Sequence, residues 1–214
     1  MTSVDHLLVL LRGVPMTLAV TAGALAMGAL LGLPIMFIGQ SRWTPLRVAF
    51  RLLTDLVRGI PPLVWIFVLY YGLAQDIVRL QPLTAAILGL GLISAVYLSD
   101  VYRAGIRSVD PGQWAASRAL GLSEARLFVE VIAPQALRIA IPPAATFALN
   151  LLKDSSIASV IGVLDIAYRA NREAQESFDT MTVYILAAGL YIALGLPLAL
   201  LSRRMDRRLS AGMS

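Results

Sequence analysis

Five apolar runs, each about as long as a bilayer is thick, constrain this chain more than any other feature. No formal charge falls between Gly13 and Ser41, between Gly59 and Gln75, between Leu80 and Ser99, or between Thr180 and Ser202. A further run, Ile139 to Leu164, is interrupted only by Lys153-Asp154. A helix crossing the hydrocarbon layer needs about 20 apolar residues, and its backbone polar groups must be satisfied within the segment. The expected fold is an all-α membrane protein of five transmembrane helices in a single domain over 1–214, with spans near 14–39, 52–74, 80–102, 139–164 and 180–202. The second run is the shortest and is expected to borrow residues from Leu52 onward. Composition agrees, since only 14% of residues are charged, against about a quarter in soluble domains.

The first run is too long for the core of a secretory signal and is expected to be retained. Before it, Val4, Leu7, Leu8 and Leu11 recur at helical spacing. They fit either a short interfacial helix or an extension of the span. Within it, Ala24, Gly28 and Gly32 recur every four residues, a spacing that lets another helix approach closely.

Five spans put the termini on opposite sides. One side then holds Arg42, Arg47, Arg51, Arg103, Arg107, Arg118, Arg126, Arg138, Arg203, Arg204, Arg207 and Arg208; the other holds Arg12, Arg79, Arg169 and Arg172. Twelve against four places the first set in the cytoplasm and the N-terminus outside. The net charge of +5 is thus a matter of loop placement, and no nucleic-acid partner is expected.

Several chemistries are excluded. There is no cysteine, and His6 is the only histidine, so a His/Cys metal site cannot form within one chain. Lys153, the only lysine, follows Leu152 and belongs to no phosphate-cradling G-x-x-x-x-G-K-[ST] loop. No serine lies in a G-x-S-x-G elbow. An enzyme is not expected, and active transport would draw its energy from a partner or an ion gradient.

The segment 103–138 is the most informative loop. Asp110-Pro111-Gly112 is a turn signal. A helical stretch follows from Gln113 to Leu120, closed by Gly121 in the manner of a left-handed cap. Ser123 is a candidate N-cap for a second helix, which Pro134 is expected to end or kink. A helix–Gly–helix of this kind forms either a compact knob for a partner's groove or an ordered loop.

These residues carry a family resemblance. The run Arg103-Ala104-Gly105-Ile106-Arg107-Ser108-Val109-Asp110-Pro111-Gly112-Gln113, the Ala-rich helix, Gly121 and Ala133-Pro134-Gln135-Ala136-Leu137-Arg138 resemble the "EAA" loop of ABC importer permeases, polar amino acid branch. Arg58-Gly59-Ile60-Pro61-Pro62-Leu63 with Tyr71-Gly72-Leu73, Tyr97 to Arg103, and Leu152 to Gly162 are similar to that branch's second, third and fourth spans. The loop glutamate of the family falls at Ala115, its third-span glutamate is Asp100, and its Leu-Pro is Ala133-Pro134.

The resemblance implies a permease subunit of the cell inner membrane that imports polar or charged amino acids. It implies a second permease chain, identical or related, an extracytoplasmic amino-acid-binding protein, and a cytoplasmic ABC ATPase dimer that binds the ATP. No cofactor is expected on this chain. The implied ATPase-coupling residues are Gly112, Gln113, Ala115, Ala116, Arg118, Ala119, Leu120 and Gly121. The alternative is a gradient-driven secondary transporter or channel of small polar solutes. It predicts internal repeats, which one set of five spans does not show.

Ionisable residues inside a membrane are costly and point to function. Lys153 and Asp154 interrupt the fourth span near its middle, flanked by Asn150, Ser155 and Ser156. Adjacent helical residues point about 100° apart, so either the helix unwinds there or the two charges serve different surfaces. They fit a solute pocket or a structural lock. A zwitterion would need an anion for its ammonium, Asp154 or Asp100, and a cation for its carboxylate, Arg58 or Lys153. Arg58 fits equally a snorkelling role, and Asp100 a pairing with Arg103 one turn away. Pro61-Pro62 either breaks the second span or starts its helix.

Overall fold

The computed structural model describes residues 2–72 and 79–210, with the side chains of 201 and 204–210 left aside. The end of the second predicted span, beyond Gly72, lies outside the described residues. Among the described residues every regular element is helical: α1 (Ser3–Leu11), α2 (Val14–Ile38), α3 (Thr44–Gly59), α4 (Pro62–Phe67) with a π turn to Gly72, α5 (Pro82–Arg107), α6 (Pro111–Ala119), α7 (Glu124–Arg126), a π segment (Leu127–Ile132) leading into α8 (Ala133–Asp154), a 3₁₀ segment (Ser155–Ile161), α9 (Ile166–Ser177) and α10 (Thr180–Ser210). Four stretches are long and apolar enough to cross a membrane: Ser3–Ile38, Pro82–Arg107, Glu124–Ile161 and Thr180–Leu200. The bent pair of α3 with Pro62–Gly72 makes a fifth candidate.

The small-residue spacing in α2 does what it promises. A Cβ on Gly28 would lie 2.8 Å from the Ser94 carbonyl carbon, and one on Gly32 3.1 Å from the Ala95 oxygen. So α2 and α5 touch backbone to backbone. The order of these contacts makes the two helices parallel, as a first and third span must be. α8 runs the other way along α5: Phe147 stacks on Tyr97 at 4.2 Å, and Gly105 lies against the Ala136 carbonyl. α10 turns back along α8, with Thr146 Oγ1 3.1 Å from Ser202 Oγ. Val20, Ala24, Ile66, Leu90, Leu98 and Leu151 form the buried core between them. Outward residues such as Leu30 and Ile192 stay exposed and apolar, as lipid contact requires.

The second span is broken. α3, which holds Leu52, is bent by 99° from the helix that follows, and only the two together are long and apolar enough to count as a span. The break follows from Pro61-Pro62. A residue before proline is pushed out of the helical region, and Ile60 and Pro61 both have extended ψ, 127° and 144°. Pro62 then opens α4, where a missing N–H costs nothing. Trp65 Nε1 donates to the Val57 carbonyl at 3.1 Å and holds the two arms of the bend together.

The segment 103–138 is itself largely helical: α5 continues through Arg107, α6 follows, and helix resumes again at Glu124. Pro134 does not end that helix: the π segment runs straight into α8 and the helix continues through it. The fourth span also differs from 139–164. Its α-helix stops at Asp154, passes into the 3₁₀ segment and closes at Gly162 in the left-handed region, φ 88°. Lys153 therefore sits in the last α turn, just before the 3₁₀ segment.

Candidate solute and coupling sites

Asp100 is the meeting point of two helices. Its carboxylate accepts from Arg58 of α3 and, at 2.7 Å, from Arg103 one turn further along α5. Arg58 also donates to the Val96 carbonyl. The predicted anion and the predicted cation thus satisfy each other, and Asp100 takes Arg103 as well. Pro61 is exposed just beyond this node, and its carbonyl receives the first N–H groups of α4.

The other predicted residues form a second, separate group. Asn150, Lys153 and Asp154 are all exposed on α8, at positions i, i+3 and i+4 of one face. Adjacency does not divide Lys153 from Asp154, because among the described residues both sides of that face are exposed. The helix remains regular through both residues and unwinds one residue later. No ion pair joins Lys153 or Asp154 to another described residue. Ser155 turns inward, fully buried, and donates to the Leu152 carbonyl at 2.8 Å. Ser156 donates to the Lys153 carbonyl at 2.7 Å.

The helix–Gly–helix stands as read. Asp110 caps α6, its Oδ1 accepting from the Gly112 N–H at 2.6 Å. Gly121 takes φ 75°, and the Leu122 N–H reaches back to the Ser117 carbonyl at 3.2 Å. Ser123 caps the next turn. Trp114 and Leu122 rest on Val109, Leu127, Ile132 and Ala136, so the knob has an apolar base. Its outward side shows Gly112, Gln113, Ala115, Ala116, Ala119 and Leu120, the last 81% exposed. Arg118 Nε reaches Glu124 Oε1 at 2.9 Å and braces the knob across the Gly121 turn.

Sequence reading missed the opposite end of the bundle. His6 lies in α1, buried, with Nδ1 2.7 Å from Oε1 of the equally buried Glu173 on α9. The segment after Gly162 is helix α9, and Asp165 caps it, accepting from the Tyr168 N–H at 2.7 Å. Burial pushes the Asp165 carboxyl up to about 6, and its second oxygen has no hydrogen-bond partner among the described residues. The amphipathic period of 166–177 was the available signal for α9.

Parallel first and third spans, an uncovered charged face on a membrane helix and a compact knob at one end describe a membrane-embedded transport component. The chain belongs to the family of binding-protein-dependent transport system inner membrane components, whose model matches residues 24–211. It is 37% identical over 184 residues to the "Probable amino-acid ABC transporter permease protein YckA" of Bacillus subtilis (strain 168), covering 86% of this chain and 81% of that one. It is 32% identical to the L-cystine transport system permease protein TcyB of the same organism, covering 94% and 86%. Among solved structures, that of an amino acid ABC transporter with histidines superposes with a TM-score of 0.88 at 32% identity, covering 97% of this chain and all (100%) of the other. The MetNI methionine ABC transporter shares the fold, with a TM-score of 0.75 at 19% identity.

Membership makes this chain a multi-pass transport subunit of the inner membrane and not an enzyme. It implies an ATPase and a substrate-binding protein as partners. The gradient-driven alternative gives way on the same grounds.

Proposed function

We propose that this chain is the permease of an importer for polar or charged amino acids, driven by a cytoplasmic ATPase dimer and fed by an extracytoplasmic amino-acid-binding protein. The observation that carries the solute class is the full-length likeness to an amino acid ABC transporter. ATP binds the partner, and this chain needs no cofactor of its own. The N-terminus lies outside and the C-terminus inside, on the strength of the arginine count. The knob, residues Gly112 to Gly121, then projects into the cytoplasm and carries the ATPase stroke to α5 and α8, between which it is strung.

The open face of α8 argues for a second permease chain. A charge facing hydrocarbon costs about 2.5–3.5 kcal/mol on insertion scales. Two charges beside an amide on one uncovered face call for a partner chain and a wet path between the two. Asn150, Lys153 and Asp154 line that path and receive the zwitterion. Arg58, Pro61 and Asp100 stand at its cytoplasmic end, with Ser155 and Ser156 shaping the turn beyond α8.

The test is ATP hydrolysis by the assembled complex in proteoliposomes. Binding protein loaded with an amino acid should stimulate it. Stimulation only by a sugar, an oligopeptide or a metal would remove the assignment. Orientation is tested separately in this cysteine-free chain. Gln175→Cys should react with an impermeant thiol reagent from outside, and reaction only from the cytoplasm would reverse the topology.

A further inference from the structure

A polar pocket of about 270 Å³ lies where α2 ends and α3 crosses the end of α5. Its charged lining is Arg51, Asp55 and Arg58 from α3 and Asp100, Arg103 and Arg107 from α5. Four guanidiniums face two carboxylates. Asp100 is taken by Arg58 and Arg103, which leaves Arg51 and Arg107 with only Asp55 as a counter-charge and the pocket with more positive than negative charge. Arg103 is three-quarters buried there, and its Nε is a buried donor with no hydrogen-bond partner among the described residues. Buried donors of this kind are normally satisfied, and surplus positive charge in a partly desolvated pocket attracts an anion.

The surroundings say which anion. The charge-free stretch through α2 ends at Ser41, so the pocket stands at the boundary of the hydrocarbon layer. α3 turns 99° from the following half-span, which lays it close to the membrane plane when α4 stands upright. Its polar side, Arg51, Asp55 and Arg58, lines the pocket, while Val48, Leu52 and Leu56 are exposed on its other side. Trp43, also exposed, stands at its N-cap, a residue suited to the headgroup level. A helix of this build rests in the interface with its apolar side among acyl chains. A basic pocket beside such a helix is placed to meet a lipid headgroup.

We infer that this pocket binds the phosphate of an anionic phospholipid, with Arg51, Arg103 and Arg107 on its oxygens and the acyl chains lying along the apolar side of α3. The lipid would fasten α3, and through Arg58 the Asp100 node, to the membrane plane.

The experiment uses the complex with its ATPase, delipidated in detergent and titrated with phosphatidylglycerol or phosphatidylcholine of identical chains, with bound lipid counted by native mass spectrometry. Phosphatidylglycerol should bind about tenfold more tightly, and the preference should fall to about twofold or less in Arg51→Gln/Arg107→Gln while Arg51→Lys/Arg107→Lys keeps most of it. Equal binding of the two lipids by the unaltered complex would overturn the inference without recourse to any variant. An undiminished preference in the Gln variant would place the lipid elsewhere and overturn it too. Displacement of phosphatidylglycerol by millimolar inorganic phosphate would make the ligand a free anion and reject the lipid. Neither Arg51 nor Arg107 belongs to the proposed solute path, so failure here leaves the solute assignment standing.

Discussion

Arg58 and Asp100 are 42 positions apart in the chain, yet their side chains form the one direct ionic tie between α3 and α5 among the described residues. Both are partly exposed, at 44% and 39%. Pairs of that exposure contribute about 1 kcal/mol or less to stability. Arg58→Gln should therefore shift the thermal midpoint of the complex by no more than a few degrees, yet reduce amino acid uptake severalfold. The exchange Arg58→Asp with Asp100→Arg separates two roles. Recovery of uptake would make the pair a tie between helices, whereas persistent loss of uptake in a folded exchange variant fits contact with solute. A large loss of midpoint in Arg58→Gln would contradict the account.

Lys153 and Asp154 have no ion-pair partner among the described residues. Neutralising one therefore strands no internal partner, the usual source of large losses on breaking an ion pair. Asp154→Asn should lower uptake at least tenfold while the midpoint stays within a few degrees. Lys153→Met with Asp154→Leu should fold and remain inactive. A folded and active double variant would return both residues to the scaffold.

Gly121 has open space where a Cβ would go, so only its backbone conformation, φ 75°, demands glycine. A β-branched residue there costs about 1–2 kcal/mol and asparagine less. Gly121→Val should leave insertion intact and cut the stimulation of ATP hydrolysis by loaded binding protein, with Gly121→Asn in between. Full stimulation and uptake in the Val variant would remove the knob from the coupling route.

Asp165 carries a pH signature. Burial holds its folded value at about 6, above the ordinary carboxyl value of 3.8, so the folded state holds the proton more tightly than the unfolded chain. Its contribution to stability is fully present below the unfolded value and is lost as pH rises through about 6. Asp165→Asn keeps a cap oxygen without the charge. It should melt higher than the unaltered protein at pH 7.5 and lose that margin toward pH 5. A lower midpoint at pH 7.5 would contradict the assignment.

The spans were legible because hydrocarbon demands long apolar helices, and Gly28 and Gly32 announced the α2–α5 contact through spacing alone. The knob was legible because Asp110, Gly121 and Ser123 act locally. What escaped depended on tertiary packing. Pro61-Pro62 offered a break in the second span, but sequence alone could not give the 99° angle between α3 and α4. The burial of His6 against Glu173 requires knowing that α1 and α9 meet. Composition could suggest that Arg58 and Asp100 are a cation and an anion of the solute path, but not that they already pair. Position in the chain likewise could not tell that the α-helix gives way to a 3₁₀ segment directly after Asp154.

The central claim is import of an amino acid driven by ATP through a partner. It is tested by uptake into proteoliposomes holding the permease and its ATPase, with binding protein and radiolabelled amino acid outside. Accumulation should require enclosed ATP and the binding protein together, and dissipating proton and sodium gradients should leave it unchanged. Uptake that proceeds without ATP or binding protein and collapses with an ion gradient would contradict the account.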